Sequence, residues 1–185
     1  MSDFEAVRVD GIVGAAGRRS GLWVRASLDA LGAAGPHAVH GTVDGASVGA
    51  APPGRQAIAG SSAGSVVLAV HGSPYRRDGI AGAALTRILA ERVAQWLPAG
   101  AERALDAAAD ELDGRFAVLL ATTAASGRLI ALRRGRSLAL GEGEDVAIVA
   151  SSVAALPPGL ARVSHLERHG LTVLGRPSLV GGFRS

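Results

Sequence analysis

A chain of 185 residues, 48% of them apolar, can bury one core, but with only 3% aromatics that core must be built from Ala, Val, Leu and Ile. All 19 basic residues are arginine against 16 acidic ones, a formal net charge of +3 without basic clusters interleaved with aromatics, so composition gives no footing for a nucleic-acid partner. There is no cysteine, which excludes disulfides and thiolate metal sites.

The acidic start Met1–Glu5 lacks the apolar stretch of a signal peptide, and no apolar run reaches the roughly 20 residues of a membrane span. These features lead us to expect a cytoplasmic protein with no cofactor and no membrane association. The alanine, glycine and arginine richness reads as GC-biased bacterial coding. Residues 1–8 read as an extension, 9–175 as one domain and 176–185 as a tail.

In chain order, residues 6–16 read as a first strand, with glycines that let another backbone come close. Ser20 opens a helix over Leu22–Leu31, closed by Gly32. Alternation through Thr42, Val43, Ala46 and Val48 gives a hairpin turning at Asp44-Gly45. Residues 50–64, almost all Ala, Pro, Gly and Ser, read as a long loop. The apolar run Ser65–Val70 predicts a strand buried on both faces.

Ile80–Leu97 is an amphipathic helix with Leu85, Ile88, Leu89, Val93 and Trp96 on one side. A second helix, Ala101–Leu112, turns Leu105, Ala108 and Ala109 inward. Strands follow over 115–121, 128–134, 137–141 and 146–150, then a helical turn over 151–156. A closing hairpin, 161–166 with 171–174, turns at Arg168-His169-Gly170. Arg133–Arg136 reads as a solvated hairpin end, His165 and His169 as surface residues, and Trp23 and Trp96 as helix-face packing or interface anchors. Helices early and antiparallel strands late give an α+β domain, a four-layer αββα sandwich with two antiparallel sheets between helices.

Three segments in the second half carry a family resemblance. Leu112-Asp113-Gly114-Arg115-Phe116-Ala117, the run Leu129–Gly141, and Gly143–Leu156 with its Ala150-Ser151-Ser152 end resemble glutaminase domains. The likeness is to class II glutamine amidotransferases such as asparagine synthetase and glucosamine-6-phosphate synthase. At the front, Gly11-Ile12-Val13-Gly14 resembles their opening strand. The resemblance implies an Ntn-hydrolase-type fold and places a catalytic cysteine directly before that strand; here the position is Asp10.

The resemblance also locates the other parts of the old site. His71-Gly72-Ser73-Pro74-Tyr75 falls on the family's Asn-Gly-Glu-Ile-Tyr, so the oxyanion asparagine becomes His71, while Gly72 and Tyr75 are kept. Gly35-Pro36-His37 stands where the family has Gly-Pro-Asp, and Ala50–Gly54 where it carries a substrate-binding arginine. Ala83–Thr86 offers no substrate-binding carboxylate. Amide hydrolysis in the family uses a nucleophile activated by its own α-amino group, and losing one oxyanion donor costs about 3 kcal/mol. Asp10, a poor nucleophile toward an amide, supplies no route.

Asp10, Gly11, His37, His40, His71, Gly72, Ser73 and Tyr75 are the cleft candidates. Asp10 with the three histidines is also a set of metal-ligand types, although we expect no metal. The function that follows is a non-catalytic, glutaminase-like subunit supporting or regulating a separate synthetase-type partner, or assembling as a homo-oligomer. The alternatives are a small-molecule or metal binder, or an enzyme with new chemistry in the old cleft.

Overall fold

The computed structural model describes residues 11–17, 19–30, 39–43, 45–51 and 57–175. The expectations for residues 1–10, 31–38 and 176–185 lie outside these. Among the described residues, eleven strands and three α-helices run in the order β1 (Gly11–Gly17), α1 (Ser20–Ala30), β2 (Val39–Val43), β3 (Ala46–Ala51), β4 (Ala57–Gly60), β5 (Val66–Gly72), α2 (Gly82–Trp96), α3 (Ala101–Asp110), β6 (Phe116–Thr122), β7 (Leu129–Arg134), β8 (Leu138–Glu142), β9 (Val146–Ala150), β10 (Arg162–Leu166) and β11 (His169–Leu174).

The strands form two antiparallel sheets, β10-β8-β9-β1-β3-β2 and β11-β7-β6-β5-β4. Helix α1 covers the outer face of the six-stranded sheet, and α2 and α3 cover the five-stranded one. The αββα sandwich expected from the sequence is the fold.

Period-two alternation decides which face each side chain joins. Along β1, Ile12 and Ala16 enter the core between the sheets, while Val13 and Ala15 turn to Val24 and Leu28 of α1. Along β5, Val67 and Ala69 face the other sheet, while Val66, Leu68 and Val70 meet Leu89, Val93 and Leu105 of the helices. This two-sided burial is why β5 reads as an unbroken apolar run. On α3 the expected faces hold: Leu105, Ala108 and Ala109 are buried, and Arg103, Asp106 and Asp110 are exposed. Trp23 and Trp96 pack partly buried against their helix-side cores, and the Arg92 guanidinium stands 5.8 Å from the Trp96 ring centroid.

Helix α1 is pinned by hydroxyls. Ser47 on β3 lies 2.9 Å from Ser20 and 2.8 Å from Thr42 on β2, each oxygen to oxygen. The chain turns tightly enough for this because Gly45 takes a left-handed conformation, φ 78°, between β2 and β3.

Three expectations are corrected. The long loop over residues 50–64 contains a strand: β3 runs on through Ala51, and Ala57–Gly60 forms β4 at the edge of the five-stranded sheet. Neither β7–β8 nor β10–β11 is a hairpin. β7 and β11 pair in one sheet, while β8 and β10 pair in the other. Both connections cross between the layers.

The sheets come close where β1 has no side chain. A Cβ on Gly14 would stand 2.8 and 2.9 Å from the two Leu129 methyls and 3.2 Å from Leu119 Cδ1. Gly14→Val should therefore lower stability by about 1–3 kcal/mol through overpacking. Gly21→Ala, where the new methyl meets only Thr42 and Ser47 oxygens at 3.6 and 3.7 Å, should raise it by up to about 1 kcal/mol through helix propensity. Urea denaturation midpoints give both signs. A Gly14→Val variant as stable as the parent would mean that the facing leucines withdraw freely.

Candidate functional site

The candidate site lies at one end of the sandwich, and two turns show which end. The Gly17 N–H, closing β1, donates to the Gly45 carbonyl at 3.1 Å, and a Cβ on Gly45 would lie 3.7 Å from Gly127 Cα, just before β7. The last residue of β1 therefore sits where β7 begins and β6 finishes. Its first residue, Gly11, lies at the opposite end, where β5 finishes at His71-Gly72, β6 begins and β7 finishes at Arg133-Arg134.

Ser151 fixes the start of β1. Its hydroxyl accepts the Ile12 N–H at 3.1 Å, and its own N–H donates to the Ile12 carbonyl at 2.9 Å. A serine directly after a buried strand thus latches that strand to the point where the chain enters the sandwich.

His71 continues the inward-facing row of Val67 and Ala69, is half-buried, and has its Nδ1 atom buried. Gly72 follows at φ 110°, and a Cβ there would run into the Arg115 carbonyl. That carbonyl accepts the Ser73 N–H at 3.1 Å. Only glycine fits this backbone, which accounts for Gly72 without reference to catalysis. The pairing continues outward as Tyr75 and Asp113 exchange backbone hydrogen bonds of 3.1 and 2.9 Å. Ser73 and Tyr75 are exposed, Tyr75 by 49%.

Gly11, His71 and Gly72 therefore share one end, and Ser73 and Tyr75 lead away from it to the surface. Asp10 and His37 lie outside the described residues. His40 is present as a backbone position of β2 opposite Gly49. Of the four suggested metal-ligand types, His71 is the one whose side chain is described. Among the described residues, no three His, Asp or Glu side chains come together as a metal site.

Sequence reasoning missed Arg133. It is 5% exposed and belongs to the same cross-sheet row as His71, with Ala117 between them, a separation of two strand spacings or roughly 10 Å along the sheet. Its side chain reaches the sandwich edge: Nε donates to the Glu167 carbonyl at 2.7 Å and Nη1 to Thr172 Oγ1 at 2.8 Å. Gly170 makes room for it, since a Cβ there would stand 3.2 Å from Nη2. Burial lowers the Arg133 pKa from its ordinary value, and the Glu167 carboxylate works in the opposite direction. Arg133 is a buried clamp on the β10–β11 crossover, which corrects its reading as part of a solvated hairpin end. Arg134 is also engaged, by Asp106 at 2.8 Å and Asp110 at 2.7 Å on α3.

No protein-family model and no curated protein matches the sequence. Solved structures match its shape. A glutamine phosphoribosylpyrophosphate amidotransferase from B. subtilis, complexed with ADP and GMP, superposes with a TM-score of 0.55 at 15% identity, over 78% of this chain and 42% of that one. A structure described as the allosteric regulatory enzyme of purine biosynthesis gives 0.54 at 15% identity, again over 78% and 42%. The chain has the Ntn-hydrolase-like glutamine amidotransferase fold. It spans less than half the length of either matched chain.

Class II glutaminases attack with a cysteine, and this glutamine amidotransferase fold contains none. At the β1 end, the Ser151 hydroxyl is committed to the β1 backbone and Arg133 to the crossover. The chain has the fold without the cysteine that serves class II glutaminases as nucleophile. Arg133→Met should cost about 2–3 kcal/mol, since both a charge-assisted bond to a main-chain carbonyl and one to a half-buried hydroxyl are lost. Arg133→Lys should recover only part of this, because one ammonium lacks the fork that reaches both acceptors. Chemical denaturation of the two variants measures it. A loss below about 0.5 kcal/mol for Arg133→Met would remove the clamp from the account.

Proposed function

We propose that the chain is a non-catalytic, glutaminase-like subunit that supports or regulates a synthetase- or amidotransferase-type partner polypeptide. The observation that carries this reading is a glutamine amidotransferase fold in a sequence without cysteine. The loss extends beyond the nucleophile. By the family likeness, the oxyanion asparagine is replaced by His71, and the helix start at Ala83–Thr86 lacks the substrate-binding carboxylate. The parts that hold the sandwich together, Gly72, Ser151 and the facing sheets, remain in place. A role in assembly requires that scaffold and has no use for the nucleophile.

The matched B. subtilis chain is more than twice as long as the region it shares with this one, so the same fold there is one part of a larger polypeptide. The resemblance of residues 112–156 to asparagine synthetase and glucosamine-6-phosphate synthase points the same way, toward a partner of the synthetase or transferase kind. A second reading, a small-molecule binder at the β1 end, rests on the inward placement of His71.

Purification of a mildly tagged chain from its native host separates the two. The subunit reading expects a near-stoichiometric ATP-dependent synthetase or amidotransferase to co-purify. A chain that purifies alone and monodisperse, and then binds an amino acid or metabolite saturably, favours the second reading.

A further inference from the structure

A groove of about 630 Å³ opens on the outer side of the five-stranded sheet, between the end of α3, the segment leading into β6 and the two crossovers. Its floor includes the buried side chains of Ala109 and Phe116, and its walls include Arg115, Arg134, Arg168 and His169. These groups converge because both crossovers meet at Gly135. The Gly135 N–H donates to the Arg168 carbonyl at 2.8 Å, and its carbonyl accepts Arg115 Nε at 3.2 Å. Gly135 adopts φ 78°, and a Cβ there would press on Arg115 Cγ at 3.1 Å. The glycine is therefore both the turn and the seat of the Arg115 side chain.

The charges in this groove are unequally satisfied. Arg134 is taken up by two carboxylates, Asp106 and Asp110, and a second lining carboxylate besides Asp110, that of Asp113, is paired with Arg77 at 3.4 Å. Arg115 and Arg168 have no carboxylate partner among the described residues, and both are exposed. The Arg115 guanidinium and the Arg168 main chain meet on the Gly135 peptide unit, so two arginines without a carboxylate partner, and His169, line one concave place. An arginine fork matches the oxygens of a tetrahedral dianion in two-point contacts.

We propose that this groove is a binding site for a small phosphate-type dianion, held between Arg115 and Arg168. The site is independent of the glutaminase-like reading, because it lies on the outer face of the sheet and uses none of the residues at the start of β1.

The test is calorimetric titration of the full chain with inorganic phosphate, in low-salt buffer free of other polyvalent anions. Saturable one-to-one binding is expected for the parent and for Arg87→Gln, an exposed arginine on α2 remote from the groove. At least tenfold weaker binding is expected for Arg115→Gln and for Arg168→Gln. Thermal melts of the same proteins show whether the variants remain folded. Phosphate should raise the melting temperature of the parent and leave those of the two groove variants unmoved. Heat that does not saturate, or equal affinity in all four proteins, would overturn the proposal.

Discussion

The fold depends on how closely two sheets of small side chains can face each other. With almost no aromatic bulk in the sequence, the space between the sheets is filled by leucines and valines reaching across to glycine. Gly14 on β1 receives Leu129 and Leu119, and a Cβ on Gly41 of β2 would stand 2.6 Å from Val67 Cγ1. Sheets packed this closely fix their relative placement, because a slip of one residue would set a side chain where a glycine must be. From that registration follows the position of everything at the β1 end: the strand's first residue, the close of β5 at His71-Gly72 and the buried Arg133 row.

The same end is held by constraints that act on the backbone. Gly72 is required by the Arg115 carbonyl beside it, and Ser151 by the two main-chain bonds it makes with Ile12. Neither requirement involves a reacting atom, so both persist whether or not the site turns over a substrate. The family resemblance puts its departures at other positions, Asp10 for the cysteine and His71 for the oxyanion asparagine. The fold is kept by backbone and core constraints that need no cysteine.

Much of this was legible in the sequence, for identifiable reasons. β5 announced itself as a continuous apolar run because each of its faces meets a different apolar layer, and the polar face of α3 was separable by its period. The layer order followed from helices preceding a series of strands. The crossovers were not legible, since Gly135 and Arg168-His169-Gly170 carry the same turn chemistry as a hairpin. Turn residues state that the chain reverses, not which sheet the next strand joins. β4 was hidden because Ala57-Ile58-Ala59-Gly60 is short, small and at an edge. Arg133 was hidden because three arginines around a glycine look solvated until Glu167 and Thr172 are brought over one of them. At the candidate site, His71 and Gly72 could be placed through the family resemblance alone, since a histidine at a strand end carries no signal of its own.

The central claim is that this sandwich retains the glutaminase architecture without the glutaminase reaction. Ammonia release from glutamine by the purified full chain tests it most directly, run beside a protein-free blank and His71→Ala. The account predicts release at the blank rate for both proteins. Turnover that rises in proportion to protein concentration and disappears in His71→Ala would contradict it.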